Sequence, residues 1–401
     1  MIDLDGIEEI CNPSPSKIIM LVIDGLGGIP DPKTGYSELE VAKIPNLDRL
    51  ARESACGRTV PILHGITPGS GPGHLSLFGY DPFKHFIGRG ILEALGIEAF
   101  VGKSDVAARG NFCTVDADGL LVDRRAGRIP TEQSMGLCEA ISSIDIPGVE
   151  LSVLPVQDHR FVLVMSGDDL SDSLSETDPQ ILGKAPLEVT ALSLDAQKTC
   201  NAVNRFIQRS TEVLHGRDQA NMVLLRGFSM IPDLPSMATV YKLSPAAIAA
   251  YPMYRGLAQI VGMNVIKTGK TIDDEIDTLE KHINSHDFFY LHYKPADSAG
   301  EDGNFEAKVA ALEEIDARIP RLLQLNPDVL VVAGDHATPS VLASHSWHPV
   351  PVLIRSRNTR GEGVNGFTEK TCLAGTLGTF PAKNLMLLVL SHAGKLSKYG
   401  P

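Results

Sequence analysis

The chain of 401 residues has little of what marks several large protein classes. Its six cysteines, Cys11, Cys56, Cys113, Cys138, Cys200 and Cys372, are scattered and form no CxxC pair. That spacing excludes a zinc knuckle or a disulfide framework and leaves reduced, mostly buried thiols as the expectation. No apolar run approaches the roughly 20 residues a helix needs to cross a bilayer. The longest, such as residues 385–390, have the size of a strand or a buried helix segment. The opening MIDLDGIEEI is acidic and has neither the basic nor the apolar region of a secretory leader, so a cytoplasmic location is expected. Positive charge is in the minority, with 36 Lys and Arg against 49 Asp and Glu and a formal net charge of -13. This disfavours a surface-wide nucleic-acid binder. No GxGxxG, Walker A or GxSxG sequence competes with the Gly- and Pro-rich loop around Ser70 for a phosphate-binding role, and Trp347 is the only tryptophan.

What is there looks like an ordinary globular protein, 43% hydrophobic and 21% charged. The length favours two domains. Residues 17–24 (KIIMLVID) form a continuous apolar run of the kind a parallel sheet buries on both faces. An amphipathic helix is expected over residues 39–54, and a Gly- and Pro-rich loop, GITPGSGPG, leads into a helix near 74–78. Strand-then-helix pairs follow at 237–243 with 246–261 and at 287–294 with 305–325. Further strands are expected at 328–333 and 350–354, and a last helix at 382–396. This alternation predicts an α/β domain with a mostly parallel sheet flanked by helices. Between residues 86 and 235 the pattern changes to short alternating strands at 110–115, 120–124, 161–165 and 222–225, separated by polar stretches. A smaller α+β domain inserted into the first is therefore expected, with residues 1–85 and 236–401 forming a discontinuous outer domain and 86–235 the insert.

Four places in the outer domain set ligand-type side chains just after an apolar strand, where open α/β sheets hold ligands. They are Asp24; Asp297 with Glu301; Asp335 with His336; and His345. Taken singly, an aspartate ending a strand is more often a turn or capping residue. Together they supply the oxygen and imidazole ligands of Mn²⁺, Zn²⁺ or Mg²⁺ sites, in the number that a pair of cations requires. Ser70 stands in PGSGPG, whose glycines let the backbone approach an anion and whose following helix offers free N–H groups to a phosphate. With its hydroxyl on a metal such a serine is a candidate nucleophile toward phosphorus; the ordinary alternative is a serine in a tight turn. His74, four residues on, either orients this loop or fills a core or capping role. The candidates for gripping an anionic ligand are Arg109, Arg160, Arg226, Lys242, Arg125, Arg128 and His159. A guanidinium fork suits bidentate contacts to phosphate and carboxylate.

In order along the chain, LVIDGLG, PGSGPGHLSLFGYDP, GRG, ARGNF, DRRAGRI, LLRGF, AAYPMYRGLAQIVGM, KPADSAGEDGNFEAK, AGDHATPS and SHSWHPVPVLI resemble the cofactor-independent phosphoglycerate mutases. The likeness is to the archaeal-type branch of that family, within the alkaline phosphatase superfamily, and runs over residues 17–390. The resemblance implies an alkaline-phosphatase-like fold whose outer, phosphatase-like catalytic domain binds metal, and an insert that grips substrate during phosphoryl transfer. It implies that Ser70 is phosphorylated in turnover. One metal would be held by Asp24, Ser70, Asp335 and His336, the other by Asp297, His345 and the residue four after Asp297. That residue is often histidine in the family and is Glu301 here. A carboxylate hardens the site and favours Mn²⁺ or Mg²⁺ over Zn²⁺; the alternative is Asp302 or an unfilled position. The expected cofactors are two divalent cations, Mn²⁺ first, with Mg²⁺, Co²⁺ or Zn²⁺ as alternatives.

The implied reaction interconverts 3-phosphoglycerate and 2-phosphoglycerate without 2,3-bisphosphoglycerate, in glycolysis and gluconeogenesis. The implied partner is that small substrate, with no nucleic acid or membrane, for a monomer or homo-oligomer. A metal-dependent phosphatase and a phosphopentomutase of the same superfamily are the rival readings. A sulfatase is disfavoured because no C/S-x-P-x-R sequence is present. A metal-free binding protein is the reading from a different class.

Overall fold

The computed structural model describes residues 6–85, 87–359 and 363–400. The expected boundary residue 86 and the extreme termini of the expected outer domain lie outside the described residues. The chain divides into one unit of residues 1–86 and 234–401 and a second of residues 87–233. Strands are numbered along the chain. The first unit holds β1 (Ile18–Ile23), β2 (Ala55–Val60), β8 (Pro245–Ile248), β9 (Asn264–Val265), β10 (Phe288–Tyr293), β11 (Val329–Ala333), β12 (Val350–Ser356) and β13 (Gly378–Pro381). The second holds β3 (Val106–Val115), β4 (Leu121–Asp123), β5 (Glu150–Pro155), β6 (Arg160–Ser166) and β7 (Met222–Ser229).

In the first unit the strands lie in the order β13-β2-β12-β11-β1-β10-β8-β9. All neighbours are parallel except β11 with β12 and β12 with β2. The three central strands, IIMLVI, FFYLHY and VLVVA, are buried along their whole length. Their near-continuous apolar character follows from burial on both faces. Ile18 pairs with both Phe288 and Val329, so β1, β10 and β11 end together at one edge of the sheet. Leu47, Leu50, Ile276, Leu279, Leu312 and Ile315, from helices on the sheet, build a common core with Ile19, Leu21, Leu291 and Leu330. The architecture is α/β, with a mostly parallel sheet flanked by helices.

The second unit is a five-stranded antiparallel sheet in which β3 pairs with both β6 and β7. Val106, Ala108 and Phe112 pack one face of β3 into a core with Phe161, Leu163, Leu137 and Phe206. The last two come from the helices Thr131–Ser142 and Gln197–Leu214. A short helix, Arg89–Gly96, packs against β3 and β7.

Several elements differ from the sequence reading. Residues 237–243 do not form a strand: Met237–Tyr241 is helical, capped by the Ser236 side chain accepting from the Thr239 N–H, and the strand that follows is β8. An apolar run this short does not distinguish helix from strand, and β8 opens on a proline, which is tolerated only at a strand's first residue or edge. The expected helix over 39–54 is two helices, Glu38–Val41 and Pro45–Arg52, because Pro45 starts a new helix and residues before a proline are driven out of the helical region. Ala55–Val60 then forms β2. The helix expected over 305–325 is likewise two, Phe305–Asp316 and Ile319–Gln324, the second with a proline in its first turn.

Candidate metal centre and arginine-bearing face

The loops that leave β1, β11 and β10 bring Asp24, Asp335, His336 and Asp297 together at one sheet edge. Asp24, Asp335 and His336 offer ligand atoms all within 4.8 Å of one another, and so do Asp297, His336 and His345. His336 Nε2 lies 3.3 Å from Asp24 Oδ1 and 3.1 Å from Asp335 Oδ2. Ser70 is the first residue of the helix Ser70–Leu77, and its Oγ lies 3.1 Å from the same nitrogen. The helix comes this close because Gly73 has no Cβ: one built there would meet the Asp335 carbonyl oxygen at 2.4 Å. In the second group His345 Nε2 lies 3.6 Å from Asp297 Oδ1 and 3.4 Å from Glu301 Oε1, and the His345 ring stacks on that of His336 at 3.7 Å. Glu301 is the more exposed member, its side chain 54% accessible. Asp302 caps the end of the helix Pro295–Glu301.

A second layer fixes how these groups are presented. Asp24 Oδ2 meets three donors: the Tyr254 hydroxyl, His292 Nε2 at 3.0 Å and Lys294 Nζ at 3.1 Å. Its Oδ1 is buried with no hydrogen-bond partner, so Asp24 presents a single oxygen toward His336. Thr338 Oγ1 donates to Asp297 Oδ1 at 2.6 Å and lies 2.9 Å from His336 Nδ1. With its one proton spent on Asp297, Thr338 accepts from His336 Nδ1–H, which leaves Nε2 with a free lone pair toward Ser70 and Asp24. His74 Nδ1 lies 2.8 Å from the Ser70 carbonyl and 3.1 Å from Asp335 Oδ2, tying the start of that helix to the β11 loop. His345 Nδ1 is held by the Pro68 carbonyl at 2.9 Å.

Divalent cations fit this donor set. Asp24 Oδ1 and Asp335 Oδ2 are fully buried carboxylate oxygens without hydrogen-bond partners, and buried charges of one sign require compensation. Lys294 supplies part of it, bridging Asp24 and Asp297. Oxygen ligands with imidazole at two adjoining positions are what a pair of hard or borderline cations uses.

In the second unit Arg109 on β3 pairs across the sheet with Arg226 on β7, and Asn111 with Arg160 on β6. Cross-strand partners share a face, so the three arginines project to the face opposite the Val106, Ala108 and Phe112 core. Glu93, from the helix Arg89–Gly96, approaches Arg109 Nε at 3.3 Å. Arg226 Nε lies 3.2 Å from Glu176 Oε2. His159 is buried just before β6, and burial together with Arg160, Arg109 and Arg125 pushes it down to about 4. It therefore stands neutral beside the arginines. Arg125 and Arg128 lie on the exposed turn that follows β4.

A model of the 2,3-bisphosphoglycerate-independent phosphoglycerate mutases matches residues 51–219. A probable enzyme of that name from Aquifex aeolicus is 50% identical over 409 residues, covering 99% of this chain and all of the relative. The chain belongs to this phosphoglycerate mutase family. A Thermotoga maritima relative carrying the same name is 51% identical and covers 98% of both chains. Among solved structures, the cofactor-independent phosphoglycerate mutase from Thermoplasma acidophilum superposes with a TM-score of 0.71 at 29% identity, covering 94% of this chain and 100% of that one. A Pyrococcus horikoshii protein superposes at 0.84 with 25% identity, over 97% of this chain and all of that one.

On this member of the mutase family the electrostatics of the cluster divide. Burial opposes charge on Asp24, yet Lys294, His292 and His336 hold its carboxyl well below the usual range. Burial and Asp24 push Asp297 up, against the pull of Lys294. His345 is raised to about 9: burial opposes its charge, but the hydrogen bonds to Glu301 and Pro68 and the nearby Asp297 prevail. His292 is pushed down to about 4 by burial despite Asp24, so it is the neutral donor on that carboxylate.

One expected site residue is misplaced. Lys242 precedes β8, whose first residue pairs with Phe288 and through it with Ile18, so it sits at the sheet edge opposite Asp24. A strand of this length separates the two edges by about 20 Å. The cause is the misread strand: Lys242 follows a helix and leads into a strand instead of leaving one. Tyr254, His292, Lys294 and Thr338 were not among the sequence candidates. His292 carried a signal as a polar side chain inside an otherwise apolar strand run, and Lys294 as the residue that ends it; Tyr254, inside an amphipathic helix, carried none.

Proposed function

We propose that this chain interconverts 3-phosphoglycerate and 2-phosphoglycerate, without 2,3-bisphosphoglycerate, through a phosphorylated Ser70. The observation that carries the reading is the convergence of Ser70 Oγ, Asp24 Oδ1 and Asp335 Oδ2 on His336 Nε2, with Asp297, His345 and Glu301 gathered beside them. One divalent cation would be held by Asp24, Ser70, Asp335 and His336, and a second by Asp297, Glu301 and His345. When bound, these ions neutralise phosphoryl oxygen charge and favour the alkoxide of Ser70. The four carboxylates make Mn²⁺ the preferred ion.

Ser70 Oγ bonds to phosphorus as the bond from phosphorus to the glycerate oxygen breaks, and that oxygen takes up a proton equivalent to the one Ser70 gives up. The reverse step on the other hydroxyl of glycerate returns Ser70 to its free form, so atoms and charge balance over the cycle. His74 and Gly73 hold Ser70 at the helix start, where free N–H groups favour a phosphoryl anion. Arg109, Arg160 and Arg226 carry the charge and fork geometry for the carboxylate of the substrate. Such a reaction belongs to glycolysis and gluconeogenesis in the cytoplasm, with a small molecule as the only required partner.

The test supplies 3-phosphoglycerate with Mn²⁺ and no bisphosphoglycerate, and follows both 2-phosphoglycerate and free phosphate. Formation of 2-phosphoglycerate with label trapped on Ser70 supports the reading. Release of inorganic phosphate as the sole product would make the chain a phosphatase.

A further inference from the structure

In the second unit, Arg109 Nε, Glu93 Oε2, Asn111 Oδ1 and His159 Nδ1 are buried without a hydrogen-bond partner. They share one neighbourhood. Arg109 and Asn111 stand two residues apart on β3 and so point to the same face, with Arg226 opposite the first and Arg160 opposite the second. Glu93 is 8% exposed, and its Oε1 lies 3.3 Å from Arg109 Nε. His159 is 6% exposed and stands neutral among Arg160, Arg109 and Arg125, whose charges add to burial in disfavouring its protonation. Buried polar atoms left unmatched destabilise a fold, and a cluster of them is completed by ordered water or by a bound ligand.

The kinds of atom on this face are specific. The guanidiniums suit the anionic ends of a phosphorylated acid. Glu93 Oε2 and Asn111 Oδ1 are acceptors and repel those same anionic oxygens, so among the groups of a small hydroxy acid they match only an O–H. Glu93 meets Arg109 Nε through Oε1, which leaves its buried Oε2 free to accept from a ligand. We propose that Glu93 and Asn111 are specificity-determining residues that accept hydrogen bonds from a hydroxyl of the bound hydroxy acid while the arginines hold its charged groups. This rests on the mutase reading above.

The test uses the full chain loaded with Mn²⁺ in a Ser70→Ala background, so that binding occurs without turnover. Calorimetry compares 3-phosphoglycerate with 3-phosphooxypropionate, which lacks the 2-hydroxyl. The parent should prefer the hydroxylated ligand by about tenfold to a hundredfold, as a hydrogen bond to a charged acceptor provides. Glu93→Gln and Asn111→Ala should each pull that preference toward unity while leaving affinity for the deoxy ligand within about threefold. Equal loss of both ligands would make the residues structural and overturn the proposal, and so would an undiminished preference. Glu93→Gln is nearly isosteric and carries the test alone if Asn111→Ala does not fold. If unmutated enzyme fails to turn over 3-phosphoglycerate, the mutase reading falls and this inference with it. If turnover is normal and only the preference is untouched, the inference falls alone.

Discussion

Ser70 has one neighbour for each demand placed on it: His336 Nε2 at its hydroxyl and His74 at its carbonyl. Ser70→Ala should lower mutase turnover by a factor on the order of 10⁴ or more, as loss of a nucleophile does elsewhere, while the unfolding midpoint stays near that of the parent; turnover within tenfold of the parent would exclude the covalent route. Asp24 makes a finer point. Because Tyr254, His292 and Lys294 all lie on Oδ2, the carboxylate cannot turn to offer both oxygens. Tyr254→Phe frees one of those contacts and should weaken Mn²⁺ binding by about ten- to a hundredfold, the usual size of an outer-layer effect, measurable by equilibrium dialysis. Glu301→Ala should weaken the second ion more than about tenfold, and Glu301→His should restore it. An unchanged affinity in the alanine variant would remove Glu301 from the ligand set.

At the scale of elements, the helix Ile272–His282 supports the ends of β8 and β10 through one side chain: Glu275 accepts from the Ala250 N–H at 2.9 Å and the His292 N–H at 3.3 Å. Burial raises its carboxyl to about 8, against the pull of those two hydrogen bonds. The folded protein therefore keeps a proton that the unfolded chain releases near the ordinary glutamate value. The stability tied to that proton is complete below the unfolded pKa and is lost as pH rises toward and through about 8. With chelator present throughout, the unfolding midpoint should fall over this range in the parent and change less in Glu275→Gln. Equal slopes in the two proteins would refute the assignment.

Elements also decide what could be read beforehand. β1, β10 and β11 were legible because a strand buried on both faces must be apolar throughout, and the residues that end such strands stand at the ligand-binding edge. Asp24, Asp297, Asp335 and His336 could be named on that ground. β8 was not legible, since Pro-Ala-Ala-Ile has a single β-branched residue and no aromatic one, and the error carried Lys242 to the wrong edge. Tyr254 escaped for another reason: its hydroxyl matters only because the helix Pro252–Ile260, packed beside β8 and β9, brings it to Asp24, a long-range fact with no local pattern.

Across the whole molecule, two units divide the chemistry: ligand groups for cations in the first, an arginine-bearing face in the second. Two Mn²⁺ per chain should be retained after dialysis, chelation should abolish mutase turnover, and Mn²⁺ should restore it; a single retained ion would reduce the centre to one site. No helix among the described residues is long and apolar enough to cross a membrane. The unbroken link from His336 through Thr338 to Asp297 reaches further than the geometry of either ligand group. An ion that draws electron density from the imidazole makes its other N–H a stronger donor, and through the threonine hydroxyl this changes the charge felt at the adjacent carboxylate. Occupancy of the two proposed positions would thereby be linked, and a titration with Mn²⁺ should depart from the curve of two identical, independent sites.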